Sequence, residues 1–509
     1  MLTNTSHTGE FGWGSSYGSA SSGRPRRGRA GYSNRGRYAD RGGSRHKLRP
    51  DNVPNVTLHP LGDLIATIDN AALDQALITG IGAPRITDCQ YIASYNWLNE
   101  KEPTISVPGK PPLWTPLNIP RRLKADSGNY FRDPNAARFP RYPTEPAVRT
   151  LLQAEPEFSL SSVDVFACGS TMGSLLRFVR RIDKPFRFVV EVVNKTVFFV
   201  RTENSPDEVI EGVKGYGHTF PENYTTWENE VKGSQTHQRM IRYQFGGFHY
   251  IVRFECDGYL KDGNSPLTKP SNDGDITTLL EASTISQQSS TKDDLTIKKS
   301  GSMVPQDSVF DLKTRSGRFN KQIDMDEQIP TLWVKQIPNF IAAYHDGAGL
   351  FERNNIQVRN VKKEIQEWET ENEAALKRLA ALVRKIVDFA QANSEHRIDV
   401  YSPSTDCLKI HKKVDGASRV LPPSLRAKWE SVDSCDKDRD HDHPNEDNHR
   451  KAPYLSDSES DTGYGENGVE LDEYHGEDFN FNIDGDDQGE PDYTGCLEHV
   501  CGYCGRCTY

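Results

Sequence analysis

An α+β fold, with a mixed twisted sheet flanked by helices and disordered N- and C-terminal tails, is the class this sequence predicts. Three observations predict it. Runs rich in β-branched and aromatic residues recur in pairs after residue 186. Residues 357–391 repeat apolar side chains at helical spacing. Both ends are polar, and with 35% hydrophobic residues and a mean hydropathy of −0.70 the 509-residue chain cannot offset its ordering entropy along its whole length.

Residues 1–52 are rich in Gly, Ser, Arg and Tyr, around GRPRRGRAGYSNRGRYADRGG. Arg contacts phosphates, and Tyr and Arg stack on bases, so one reading is an RNA-binding arm; the other is a solvated low-complexity tail. Residues 53–146 begin with short ordered elements such as LGDLIATID, but 101–146 is so dense in Pro that it is expected to run extended over the body, pinned by Trp97 and Trp114. The body itself spans 147–430. AVRTLLQAE and MGSLLRFVRR read as helices, FRFVVEVV and KTVFFVRTE as a hairpin turning at Asn194-Lys195, and RMIRYQFGGFHYIVRFECDGYL as two strands broken at Gly246-Gly247. Residues 262–305 read as a polar, disordered insertion. SVFDLKTRS is then a strand, and TLWVKQIPNFIAAYH a helix or a helix and strand. In 357–391, Val361, Ile365, Trp368, Leu376, Leu379, Leu382, Val383 and Ile386 form an apolar stripe suited to the core or to a partner helix. RIDVYSP and CLKIHKKVDG close the body as a hairpin, and 431–492 is an acidic tail before a Cys-rich terminus at 493–509.

The net charge of −10 conceals a strong asymmetry: residues 24–49 carry +9 and residues 433–492 carry −17. The acidic block is either a solubilising, self-repelling segment or a mimic of nucleic acid. No apolar run reaches the roughly 18 residues of a membrane span, and the first residues lack a signal-like apolar region. With nine Cys, an odd number, the sequence points to a reducing nuclear or cytoplasmic setting, without membrane contact. Cys496, Cys501, Cys504 and Cys507 crowd the last residues and suit a four-thiolate zinc site, an iron–sulfur cluster or plain thiols.

Two strand motifs can carry chemistry. Glu255 and Asp257 share one face of their strand, and Asp311 and Lys313 share one face of theirs, because side chains two apart in a strand point the same way. If the strands are neighbours, three carboxylates and an ammonium converge on a place able to hold Mg²⁺ or Mn²⁺ and hydrolyse a phosphate ester. Otherwise they are merely charged outer positions of half-buried strands.

The order GYGHTFPE at 215–222, RFECD at 253–257, DLKTRS at 311–316 and WVKQIPNFIAAYHDG at 333–347 resembles the PD-(D/E)xK nucleases, and among them the decapping and RNA 5′-end quality-control enzymes. The likeness covers about 165–405. It implies a nuclease-like fold and RNA 5′ ends as substrate. It also implies Glu255, Asp257 and Asp311 as metal ligands, Lys313 beside the attacking water, Gln336 orienting Lys313 or the nucleotide, and Glu222 and Arg315 on the substrate. A catalytically inactive RNA-binding or scaffold protein of the same fold is the alternative. Within the pattern, Pro221 separates Phe220 from Glu222, Asp311 stands for the usual Glu, and Gly169 in FACGSTMGSLL stands for a phosphate-contacting Arg.

The chain as a whole, through SYNWLNEKEPTISVPGKPPLW and the terminal CGYCGRCTY, is similar to a group of filamentous-fungal proteins often labelled geranylgeranyl pyrophosphate synthetase. That activity implies a helical bundle with two DDxxD motifs. The sequence is strand-rich and has neither motif.

Overall fold

The computed structural model describes residues 54–431 apart from 78–81, 83, 211–212, 262–293, 319–321 and 415–418. The basic arm, the acidic tail and the four terminal Cys therefore lie outside the described residues. Its strands are β1 (Leu64–Asp69), β2 (Thr87–Leu98), β3 (Thr104–Gly109), β4 (Leu113–Trp114), β5 (Val165–Cys168), β6 (Phe186–Val193), β7 (Thr196–Arg201), β8 (Thr225–Thr226) and β9 (Ser234–Phe245). They continue as β10 (Phe248–Glu255), β11 (Gly258–Tyr259), β12 (Thr296–Gly301), β13 (Val309–Ser316), β14 (Asn339–His345), β15 (Ile356–Asn360), β16 (Arg397–Ser402) and β17 (Cys407–Lys412). The α-helices are α1 (Pro134–Arg138), α2 (Glu145–Ala154), α3 (Gly169–Val179), α4 (Thr219–Tyr224), α5 (Met325–Lys335), α6 (Lys362–Glu371), α7 (Glu373–Ala392) and α8 (Pro423–Ser431).

Two sheets organise the described residues. The larger runs β1-β17-β16-β6-β7-β5-β10-β9-β2-β3-β12 and the smaller β15-β14-β13-β11-β4-β8, each mixing parallel and antiparallel pairs. The fold is α+β. All three hairpins of the body form as the sequence suggests, β6 with β7, β9 with β10 and β16 with β17. β9 and β10 pair from Phe245 opposite Phe248, and Gly246 and Gly247 both hold positive φ, the conformation a two-residue turn between twisted strands requires.

Three local features differ from the sequence reading. Residues 296–301, read as part of a polar insertion, form β12 and pair in parallel with β3. β3 in turn lies inside the sheet, between β2 and β12, although Pro108 falls within it. The stripe over 357–391 is divided into a strand and two helices. The division falls at Asn372, which donates its side-chain amide to the Trp368 carbonyl and so ends α6, in the eight-residue interval where the apolar repeat lapses.

The repeat itself packs as core. Leu376, Leu379, Leu382, Val383 and Ile386 of α7 are fully buried in one cluster with β6, β10, β14 and α5. Each contributes about 1.5–3 kcal/mol by leaving water. A second cluster fills the other face of the large sheet, and a third lies under the small one, around Phe220, Phe310 and Phe351.

Candidate active site

β10 ends in the large sheet, and the chain crosses into the small one within three residues. The Cys256 N–H donates to the His237 carbonyl of β9 at 3.0 Å, which extends the first pairing; Gly258 then pairs antiparallel with Phe310 of β13. Gly258 is required here, since a Cβ would stand 2.5 Å from the Phe310 ring and 2.7 Å from the Pro112 carbonyl oxygen. One register step back from the Gly258–Phe310 pair, Asp257 faces Asp311.

The two carboxylates meet on one donor. The Leu312 N–H donates to Asp257 Oδ2 at 2.8 Å and to Asp311 Oδ1 at 2.9 Å. β13 is buried along its whole length, with Phe310 and Leu312 in the cluster beneath the small sheet. Alternation therefore turns Asp311, Lys313 and Arg315 to the opposite face, towards α5. Buried charge of this kind is tolerated only when paired. The Lys335 ammonium, 1% exposed at the end of α5, donates to Asp311 Oδ2 at 2.8 Å, and Lys313 Nζ lies 3.5 Å from Asp311 Oδ1. Burial pushes the Asp311 carboxyl up, but Lys335 and then Lys313 more than offset this and hold it below the ordinary carboxylate value.

Lys335 is placed by the end of its helix. Gln336, the C-cap, adopts the left-handed conformation (φ 51°) and its side-chain amide donates to the Trp333 carbonyl at 2.5 Å. Gln306 donates to the Lys335 and Gln336 carbonyls, and Arg239 of β9 donates to Gln306 Oε1 at 2.6 Å. Beside the Lys335 stem lies Gly169, whose Cβ, were there one, would sit 3.8 Å from Lys335 Cγ. The position where the nuclease pattern has Arg thus abuts the lysine that reaches Asp311.

Beside Asp257 lies a cavity of about 530 Å³, lined by Tyr130, His218, Glu222, Trp227, Glu255 and Asp257 among others; Asp311 and Lys313 are not among its lining residues and sit behind Asp257. The Tyr130 and His218 rings are stacked, centroids 3.5 Å apart. His237 also lines it. Asn96 Oδ1 accepts from the Lys110 N–H while Asn96 Nδ2 donates to the Lys110 carbonyl, which fixes the amide's orientation. The Asn96 Oδ1 at 2.6 Å from His237 Nδ1 must then be the acceptor, so Nδ1 carries the proton and Nε2 a lone pair. Burial, followed by the nearby Arg239 charge, holds the His237 imidazole well below its ordinary value. The unfolded chain thus binds a proton near pH 6.5 that the folded one refuses. Stability should fall as pH drops below about 6.5, with a slope of up to about 1.4 kcal/mol per pH unit. Urea unfolding of the wild type and His237→Gln across pH 5–8 checks this; the variant should show a shallower decline.

The sequence-derived site is thus assembled in part. Asp257, Asp311 and Lys313 come together, and Glu255 and Glu222 face the cavity. The three carboxylates do not form one metal cage: among the described residues no group of three or more His, Cys, Asp or Glu side chains is arranged to hold a metal ion. Gln336 caps α5 instead of reaching Lys313. Arg315 is buried on β13 and is not among the cavity's lining residues. Lys335 and His237 were not singled out from the sequence. Lys335 adjoins a Gln that the motif favoured, and His237 has no spacing signal.

Comparison with known proteins adds the following. A family model described as "Domain of unknown function (DUF8563)" matches residues 83–429. No curated protein matches. Among solved structures, S. pombe Rai1 is similar at 11% identity and a TM-score of 0.41, over 69% of this chain and 99% of that one. Candida albicans Rai1, in complex with pU5-Mn2+, is similar at 11% and 0.43, over 69% and 97%. K. lactis Dxo1, in complex with manganese, is similar at 9% and 0.39, over 73% and 98%.

Proposed function

The chain belongs to that family, whose description assigns no chemistry, and from the site we propose a nuclease-like protein that takes RNA 5′ ends into the cavity and hydrolyses a phosphodiester or pyrophosphate bond. The observation that carries this is the meeting of Asp257 and Asp311 on the Leu312 N–H, with Lys313 alongside. Two carboxylates and water are a donor set that suits Mg²⁺ or Mn²⁺, which seldom occupy all-protein cages. Asp257 and Asp311 would hold such an ion, and it would supply Lewis-acid polarisation of a phosphoryl oxygen.

The chain's own groups do the rest. An RNA end is polyanionic, whereas Glu222, Glu255 and Asp257 give the cavity a negative lining, so a cation is needed between them. Lys313 sets an ammonium beside the reacting position. Tyr130, His218 and Trp227 offer ring faces for a terminal base, and His237 Nε2 accepts from a hydroxyl donor. The sequence order RFECD then DLKT, shared with the nucleases it resembles, supports the same reading.

A second reading, an RNA-binding protein without hydrolysis, is favoured by one feature. Lys335 already occupies Asp311 Oδ2, so the buried carboxylate has its counter-charge without a metal. Incubating the full-length protein with 5′-triphosphorylated and capped RNA, with Mg²⁺, Mn²⁺ or EDTA, separates the two. Cleavage that needs metal and disappears in Asp311→Asn is the expected result. Tight RNA binding with no product in either metal would establish the second reading.

No helix among the described residues is long and apolar enough to cross a membrane.

A further inference from the structure

A second cavity, of about 310 Å³, lies over the opposite face of β6 from the main core. Alternation along β6 and β16 puts Val190, Val192, Ile398 and Val400 into that core and turns Arg187, Glu191, Arg397 and Asp399 the other way. The charges there do not balance. Fully buried Asp399 accepts from Arg187 Nε at 2.9 Å and from Lys413 Nζ at 3.0 Å. Equally buried Glu191 is paired with Arg397 at 3.2 Å, Arg426 at 2.8 Å and Arg419 at 3.6 Å.

Arg426 is shared with Glu430 at 3.0 Å, so it adds no net charge, but the two carboxylates still carry four further cations, Arg187, Lys413, Arg397 and Arg419; Arg141 also lines the cavity wall. The one other acidic lining residue, Glu203, is held by Arg201. Confining like charge in a half-buried cavity is unfavourable unless a counter-ion enters. In a chain whose net charge is −10, this concentration of positive charge runs against the general balance.

We infer that this cavity is a binding site for a phosphate group, distinct from the carboxylate cavity. Arg forks match the oxygens of a phosphate in both charge and geometry, and four of the cavity's cations are Arg. Among the described residues no Phe, Tyr or Trp lines it, and the lining is dominated by charge rather than by ring faces, so the recognised part is the phosphate itself. The two cavities share no lining residue. They are nevertheless walled by one stretch of chain: Pro134 and Arg138 line the first, and Pro140, Arg141 and Pro143 the second. The phosphate can come from an RNA strand or from a free phosphate compound.

The test uses the full-length protein and the double variant Arg141→Gln/Arg419→Gln, since both side chains are exposed and neither is needed to neutralise a buried carboxylate alone. Inorganic phosphate is titrated calorimetrically against chloride at equal ionic strength. The wild type and Asp311→Asn should bind phosphate alike, and the double variant about tenfold or more weaker, given roughly 1.5–3 kcal/mol for a charge-assisted contact. A 5′-phosphorylated single-stranded RNA forms the second arm. Weaker binding with a shallower salt dependence in the double variant assigns the phosphate to an RNA strand, and unchanged RNA binding assigns it to a free compound. Equal phosphate binding by wild type and double variant, or no binding beyond the chloride control, overturns the site. Loss of phosphate binding in Asp311→Asn would place it in the carboxylate cavity instead. Because Asp311→Asn separates the two cavities, a failure here leaves the hydrolysis reading standing, and the reverse.

Discussion

Asp311→Ala should destabilise the protein by about 3–5 kcal/mol, the cost of removing one partner from a buried ion pair. Asp311 is only 3% exposed and faces two ammonium groups, one of them 1% exposed. Without it, Lys335, itself 1% exposed, loses the carboxylate it donates to. The resemblance implies a metal-binding carboxylate; burial makes it structural as well. Adding Lys335→Met to Asp311→Ala should recover part of the loss, because the stranded charge is then gone. Denaturant midpoints of the single and double variants measure this. A single variant as stable as the wild type would mean that Lys335 finds water or another acceptor in solution. For the same reason, cleavage assays are better served by Asp311→Asn, which keeps the shape and an acceptor oxygen.

The second large effect is expected from Lys335→Met alone, read as affinity for a divalent cation. Two unit charges about 4 Å apart interact by about 4 kcal/mol at the effective dielectric near a protein surface. An ammonium held on Asp311 therefore opposes any cation approaching the same carboxylate. Part of that opposition is relieved if the lysine swings aside, so a gain of about tenfold in Mn²⁺ affinity, or 1.4 kcal/mol, is a reasonable floor. Calorimetric titration of Mn²⁺ into both proteins gives the answer without any substrate. Should the variant bind Mn²⁺ no better, Lys335 is not a competitor for the site, and the pairing with Asp311 is purely structural.

How much of this was legible beforehand can be traced residue by residue. DLKT reads as a strand because its flanking apolar residues alternate, and it is one; of ECD only Glu255 lies in a strand, with Asp257 in the two-residue link between β10 and β11. What spacing could not supply was the partner strand. The Gly258–Phe310 pairing that sets Asp257 against Asp311 joins residues far apart in sequence. The break at Asn372 was visible as a lapse in the apolar repeat, but a single stripe concealed it. Lys335 escaped because its role comes from helix termination. The left-handed Gln336 turns the chain so that the preceding residue, not the glutamine, reaches the carboxylate. The His237 tautomer depended on Asn96, 141 positions away. The unbalanced charges over β6 come from Arg and Lys scattered between 141 and 426, where no local count is unusual.

The carboxylate pair also says something about latitude in the length of this chain. Asp257 and Asp311 stand on opposite sides of residues 262–293, and each is fixed by strands on its own side, β10 and β11 before and β13 and β14 after. The pairings that set the two positions all lie outside 262–293. Insertions or deletions there would thus change the size of the protein markedly while leaving the facing pair where it is, so chain length would be a poor guide to whether the chemistry is retained.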